Sequence, residues 1–142
     1  MYNKKIKYYH ISNISSYHKI FPIIQNHNLS QNIIFLRGNI GAGKTSFVRE
    51  FVANLNVKCD ISSPTFTLIN EYKNDDINIY HYDLYRVENN HELFEIGIDY
   101  YFSQDGYHFI EWPEKFISFL PRPHIEINFK IMEDSRLLSI YT

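Results

Sequence analysis

Cysteine is nearly missing from this chain: Cys59 is the only one in 142 residues. No disulfide can form within the chain, so its stability has to come from a core, and a reducing compartment such as the cytoplasm is the expected setting. No Cys/His spacing has the form of a zinc site, and the seven histidines are scattered. Long apolar runs are lacking as well. The longest, Ile33–Leu36, falls far short of the ~20 residues a membrane helix needs. No apolar segment follows the charges of Met1–Lys5, so neither a membrane span nor a signal peptide is expected. An excess of one charge is also absent: Lys and Arg number 14 against 16 Asp and Glu, for a formal net charge of −2. The only basic cluster, Lys4, Lys5 and Lys7, reads as a solvated strand edge and not as a nucleic-acid stripe. A role in a nucleic-acid pathway would therefore run through a protein partner, with RNA reached only indirectly.

What is present is the composition of a globular domain, 44% hydrophobic and 21% charged. A chain of this length makes one domain, residues 1–142, able to bury roughly 68–70% of its unfolded surface. No linker, repeat or low-complexity segment interrupts it. Lys7–Ile11 reads as an edge strand. Tyr17, Ile20, Phe21 and Ile24 have helical spacing within Ser15–Asn26, although Pro22 sits awkwardly there. Asn32–Leu36 reads as a strand buried on both faces, and Lys44–Leu55 as an amphipathic helix carrying Phe47, Val48, Phe51, Val52 and Leu55. Phe66–Tyr72 and Ile77–Leu84 flank the turn residues Asn74–Asp76 and predict an antiparallel hairpin. Glu88–Ile96 predicts a short helix ended by Gly97, Tyr107–Ile110 a buried strand, and Pro113–Phe119 a helix opened by proline. Ile125–Ile131 and Arg136–Tyr141 predict a final antiparallel pair. The expected fold is α/β: a mixed central sheet of P-loop type, with parallel core strands, antiparallel additions and flanking helices.

Chemistry concentrates between the first buried strand and the amphipathic helix. Gly38-Asn39-Ile40-Gly41-Ala42-Gly43-Lys44-Thr45 fits G-x-x-x-x-G-K-[ST] completely. Its glycines let the backbone wrap closely round phosphates with N–H groups inward, and the helix that follows turns its positive end to the same anion. Lys44 can reach β and γ phosphates, and the Thr45 hydroxyl can ligate Mg²⁺. Ser46 continues the loop into the helix. Such a loop needs a second acidic group near the metal, and Glu111, closing His108-Phe109-Ile110-Glu111, has the place for it. Asp83 ends another such strand, with an ion pair to Arg86 as the competing reading. Ser62–Thr67 is a polar loop in which Thr65 offers a hydroxyl, either a γ-phosphate sensor or an ordinary start of a strand.

Taken in series, Gly38–Thr45, Ser63-Pro64-Thr65-Phe66-Thr67-Leu68, His81-Tyr82-Asp83-Leu84-Tyr85-Arg86 and Glu111-Trp112-Pro113-Glu114 closely resemble the TsaE family, over about Ile33 to Leu120. The resemblance implies a bacterial ATPase that binds ATP and Mg²⁺. It also implies action with the TsaB–TsaD pair in making N6-threonylcarbamoyladenosine in tRNA. By this resemblance Thr45 and Glu111 hold the metal and Gly41, Ala42, Gly43, Lys44 and Thr45 the phosphates, with Gly38 and Ser46 completing the nucleotide-binding set. Ser63–Thr67, with Thr65, and Asp83–Arg86 act as switch-like loops, and Trp112 lies beside the nucleotide. Lys44, Asp83 and Glu111 are the expected catalytic residues, and Arg136 is placed near the nucleotide. The chain departs from the family pattern at Asn39, where the family has Asp. It departs again in the N-terminal segment, where an ungapped count back from Gly38 meets Tyr17 beside Ser15 and Ser16, and not the family's Thr. Two other classes share the P-loop: a small-molecule kinase, which needs an Arg-rich lid, and a nucleotide-dependent binding module without turnover.

Overall fold

The computed structural model describes residues 4–26, 29–57 and 68–142. Cys59, the loop 62–67 with Thr65, and the expected hairpin start at Phe66 lie outside these residues. The axis of the fold is β2, Gln31–Gly38. Its Ile34 and Leu36 enter one buried cluster and its Ile33 and Phe35 the other. Both faces are covered, which is why the strand shows no polar alternation. It pairs in parallel with β5 (Gly106–Glu111) on one side and β6 (Ile125–Ile131) on the other. Beyond β5 lies β4 (Asn78–Asp83), parallel, and then β3 (Ile69–Lys73), antiparallel. Beyond β6 come β7 (Arg136–Tyr141) and β1 (Ile6–Ile11), both antiparallel to their neighbours. The result is a seven-stranded sheet ordered β1-β7-β6-β2-β5-β4-β3, the mixed α/β architecture expected from the pattern of elements.

One face is covered by α2, Lys44–Asn54, together with the N-terminal segment. Phe47 of α2 meets the rings of Tyr17, Phe21, Phe109 and Phe129 edge-on at 5.2–6.3 Å between centroids. The quadrupoles of aromatic rings favour this arrangement over a face-to-face stack. The expected single helix over Ser15–Asn26 is instead two short pieces. A 3-10 turn covers Ile14–Lys19 and is capped by Asn13, whose side chain accepts from the Ser16 N–H at 3.1 Å. The chain then restarts as α1, Phe21–Gln25, with Pro22 in its first turn. Proline lacks an N–H and its ring clashes with the preceding turn, so a helix can begin at Pro22 but not run through it. The apolar set read from the spacing is nonetheless the buried one: Tyr17, Ile20, Phe21 and Ile24.

On the opposite face lies α3, Asn90–Glu95, shorter than expected because Asn89 caps it by accepting from the Glu92 N–H at 3.2 Å. Gly97, at φ 70°, ends it. A further helix, α4 (Ile98–Phe102), follows directly. Only Ile98 in it is fully buried, so it offers no apolar stripe to read. The expected helix over Pro113–Phe119 is a 3-10 turn. Strands β2, β5 and β4 run parallel, so their C-terminal ends open on one edge, where α/β sheets hold ligands.

Candidate functional site

The loop leaving β2 turns into α2 through Gly43, at φ 106° and ψ 12°. A Cβ built there would stand 2.4 Å from the Tyr17 hydroxyl oxygen, so both conformation and space require glycine. As the residue before the helix, Gly43 offers no side-chain cap to the first turn of α2. The unpaired N–H groups of that turn, with the positive end of the helix dipole, form a cradle for an anion.

Lys44 is only 4% exposed. Its ammonium donates to the Gly38 carbonyl and lies 3.7 Å from the centre of the Trp112 ring. Burial pushes its pKa below the ordinary lysine value, while Glu111, Glu114 and Asp83 pull it back up. Trp112 reaches this position because it takes the left-handed region, φ 60° and ψ 45°, directly after β5. That conformation is uncommon for a residue with a side chain. Tyr85, on the loop after β4, packs its ring 4.9 Å from the indole.

The Thr45 hydroxyl donates to both carboxylate oxygens of Glu111, at 3.2 and 3.0 Å. A hydroxyl and a carboxylate in contact at the foot of an anion cradle form a set of hard oxygen donors suited to Mg²⁺. Asp83 sits in register beside Glu111 on the neighbouring strand. It is exposed, and its carboxylate accepts from the Tyr85 N–H at 3.1 Å. The competing ion pair with Arg86 is not formed among the described residues. A cavity of about 300 Å³ is lined by Gly41–Ser46, Asp83, Tyr85, Glu111 and Trp112. A second cavity, of about 240 Å³, shares Gly41, Gly43 and Ser46 and continues to Tyr17, Ser135 and Arg136. The N-terminal segment therefore meets the loop through Tyr17.

Arg136 lies against the loop, but its geometry differs from a simple ligand's. Its Nε donates to the Ala42 carbonyl and its Nη2 to the Gly41 carbonyl, both at 3.2 Å. The guanidinium thus holds the loop's backbone by its acceptors. Sequence reasoning also missed His81. This imidazole is as buried as Glu111 and lies 2.5 Å from a Glu111 oxygen. The available signal was an imidazole within Ile79–Tyr82, whose other residues are isoleucine and tyrosine, two positions before Asp83 on the same strand face.

The sheet order, the glycine loop and the lysine, threonine and glutamate around it define a P-loop NTPase-like protein with a nucleotide-binding fold. The family model described as threonylcarbamoyl adenosine biosynthesis protein TsaE matches residues 11–138. The chain belongs to the TsaE family. A tRNA threonylcarbamoyladenosine biosynthesis protein TsaE from Rickettsia typhi is 38% identical over 131 residues, covering 91% of this chain and 90% of that one. The protein of the same name from Haemophilus influenzae is 35% identical over 118 residues, covering 83% of this chain and 75% of its own. Among solved structures, YdiB of Bacillus subtilis aligns with a TM-score of 0.77 at 25% identity, covering all of this chain (100%) and 88% of that one.

Proposed function

We propose that this protein is an ATPase of N6-threonylcarbamoyladenosine biosynthesis in tRNA. In this reading residues 1–142 form one P-loop domain that binds Mg-ATP in the cytoplasm. It hydrolyses ATP slowly alone and faster with the TsaB–TsaD pair, through which it serves tRNA without gripping it. One observation carries the proposal. In a chain of the TsaE family, an uncapped helix start, a buried lysine and a hydroxyl–carboxylate pair converge on one cavity.

The residues present fit Mg-ATP. The N–H groups of Gly41 and of Gly43 to Ser46 would hold phosphate oxygens, with Gly38 giving the loop its start and the Ala42 N–H, which donates to the Asn39 carbonyl at 3.0 Å, closing the turn before them. Lys44 would exchange the Gly38 carbonyl for β and γ phosphate oxygens. Thr45 and Glu111 would hold Mg²⁺. That ion, when bound, supplies positive charge against the charge developing on the transferred phosphoryl group. Asp83, exposed at the cavity's edge, is the carboxylate that meets solvent water there. Trp112 screens the lysine from solvent and borders the nucleotide. Arg136 keeps the loop in its binding shape from the far side. Asp83–Arg86 is a segment whose surface depends on the γ-phosphate.

The test is nucleotide binding and turnover at varied Mg²⁺. Lys44→Ala is expected to lower turnover on the order of 10²–10³-fold, the usual loss for one charge contact to the transition state. Glu111→Gln is expected to lose Mg²⁺ dependence while keeping more ATP affinity than the lysine variant. Overlaying magnesium titrations for Glu111→Gln and the parent would remove Glu111 from the metal site.

A further inference from the structure

We propose that His81 is the positioning residue that fixes Glu111 in the orientation in which its carboxylate meets the cation. This inference rests on the Mg²⁺ reading above and adds to it the group that holds the ligand.

The side chains of Glu111 and His81 are each 4% exposed. A carboxylate taken out of water must find hydrogen-bond donors within the protein. Among the described residues two donors reach Glu111: the Thr45 hydroxyl, at 3.2 Å from Oε1 and 3.0 Å from Oε2, and His81 Nε2, at 2.5 Å from Oε2. A carboxylate only accepts, so Nε2 is the nitrogen that carries the proton.

The two donors differ in permanence. Thr45 has a single proton spread over two carboxylate oxygens. Its oxygen is also a ligand in the proposed site, so its lone pairs and its orientation are committed to the cation. Thr45 also stands in the first turn of α2, next to the loop that must receive phosphates. His81 has neither obligation. It lies on β4, a strand paired on both sides, with Asn70 of β3 and Phe109 of β5 as its register partners. Its ring faces the same side of the sheet as Phe109 and Glu111, and Glu111 is the diagonal neighbour two residues beyond Phe109. A rigid strand therefore presents one N–H to Oε2 of a carboxylate that lines the cavity, and among the described residues Oε1 has only the Thr45 hydroxyl. Groups that orient ligands in this manner commonly set metal affinity by about 10–100-fold.

Trp112 is the only tryptophan and lies 3.7 Å from the Lys44 ammonium, so its fluorescence serves as a binding signal that does not depend on turnover. The experiment titrates a non-hydrolysable ATP analogue, first in EDTA and then at rising Mg²⁺. It uses the parent, His81→Leu, His81→Gln, His81→Asn and Glu111→Gln, with each protein's unfolding midpoint measured in parallel. Glutamine places an amide N–H about where Nε2 stands, asparagine is too short, and leucine has no donor. The expected result is an unchanged affinity in EDTA and a Mg²⁺ midpoint raised on the order of 10-fold in His81→Leu and His81→Asn. His81→Gln is expected to return most of the way to the parent. Should His81→Leu not fold, the contrast between Gln and Asn carries the same test. Parent-like Mg²⁺ midpoints in the histidine variants beside a shifted Glu111→Gln would overturn the role of His81 and leave the metal site standing. An unshifted Glu111→Gln would overturn the metal reading itself. Failure of Gln to restore what Asn loses, with unfolding midpoints falling in step, would mark His81 as structural only and also overturn the proposal.

Discussion

Two histidines on adjacent strands show how the same side chain takes different work from its surroundings. His81 faces the P-loop side of the sheet and reaches Glu111. His108 faces the other side, fully buried, with its ring stacked 4.8 Å from that of Tyr80. Its Nδ1 accepts from the Tyr82 hydroxyl and its Nε2 donates to the Gln104 carbonyl, both at 2.8 Å. Both nitrogens are satisfied in the neutral form, and burial pushes the pKa of His108 below the ordinary imidazole value, against smaller upward pulls from Gln104 and Asp105. The sign of the pH effect follows. The unfolded chain takes up a proton near pH 6.5, while the folded chain resists it, so the stability from this residue is complete above about pH 6.5 and lost as pH falls. The loss continues until the lower folded pKa is reached. A protonated ring would also repel the Tyr82 hydroxyl proton. Urea unfolding at about pH 7.5 and about pH 5 should show a larger drop in midpoint for the parent than for His108→Gln, which has no proton to gain. Equal drops would mean that His108 does not contribute to the acid sensitivity.

At the scale of elements, the P-loop is a short connection held from two sides, and each side predicts a different cost of change. Gly41 and Gly43 both have positive φ, 79° and 106°. A Cβ at Gly41 would meet nothing within 4 Å, whereas one at Gly43 would stand 2.4 Å from the Tyr17 hydroxyl oxygen. Gly41→Ala should therefore cost only the backbone strain, roughly 1–2 kcal/mol. Gly43→Ala should cost more and also move the start of α2 away from its anion-binding position. Thermal unfolding and nucleotide affinity of the two variants check this; equal losses, or a worse result at Gly41, would contradict it. Much of this region was legible because it is local: the motif, the apolar run of β2 and the helical spacing of α2 lie within a few turns of one another. The clamp from Arg136 was not, because it spans 94 and 95 positions in sequence and addresses backbone carbonyls, which carry no residue signature. The break at Pro22 was visible as an irregularity, but only the packing of Tyr17 and Phe21 on α2 explains why the segment stays buried after it breaks.

At the scale of the whole molecule, the sheet brings together groups that are far apart in the chain. Thr45 and Glu111 are 66 positions apart and His81 lies 30 from Glu111. The buried strands β2, β5 and β4 were readable, and with them the prospect that Glu111 and Asp83 end on a common edge. Which polar side chain stands against Glu111 depends on the register of β4 on β5, and no local pattern states that register. No helix among the described residues is long and apolar enough to cross a membrane. The net charge of −2 gives little electrostatic pull on RNA. The low charge suits the proposed route to tRNA through partners. The most direct measurement is phosphate release from Mg-ATP by the purified chain, alone and with the TsaB–TsaD pair proposed as its partner, beside a folded Lys44→Ala control. Slow release alone, a clear rise with the pair, and a loss on the order of 10²–10³-fold in the control are expected of the proposed ATPase. Release that the pair leaves unchanged, or that survives in Lys44→Ala, would contradict it.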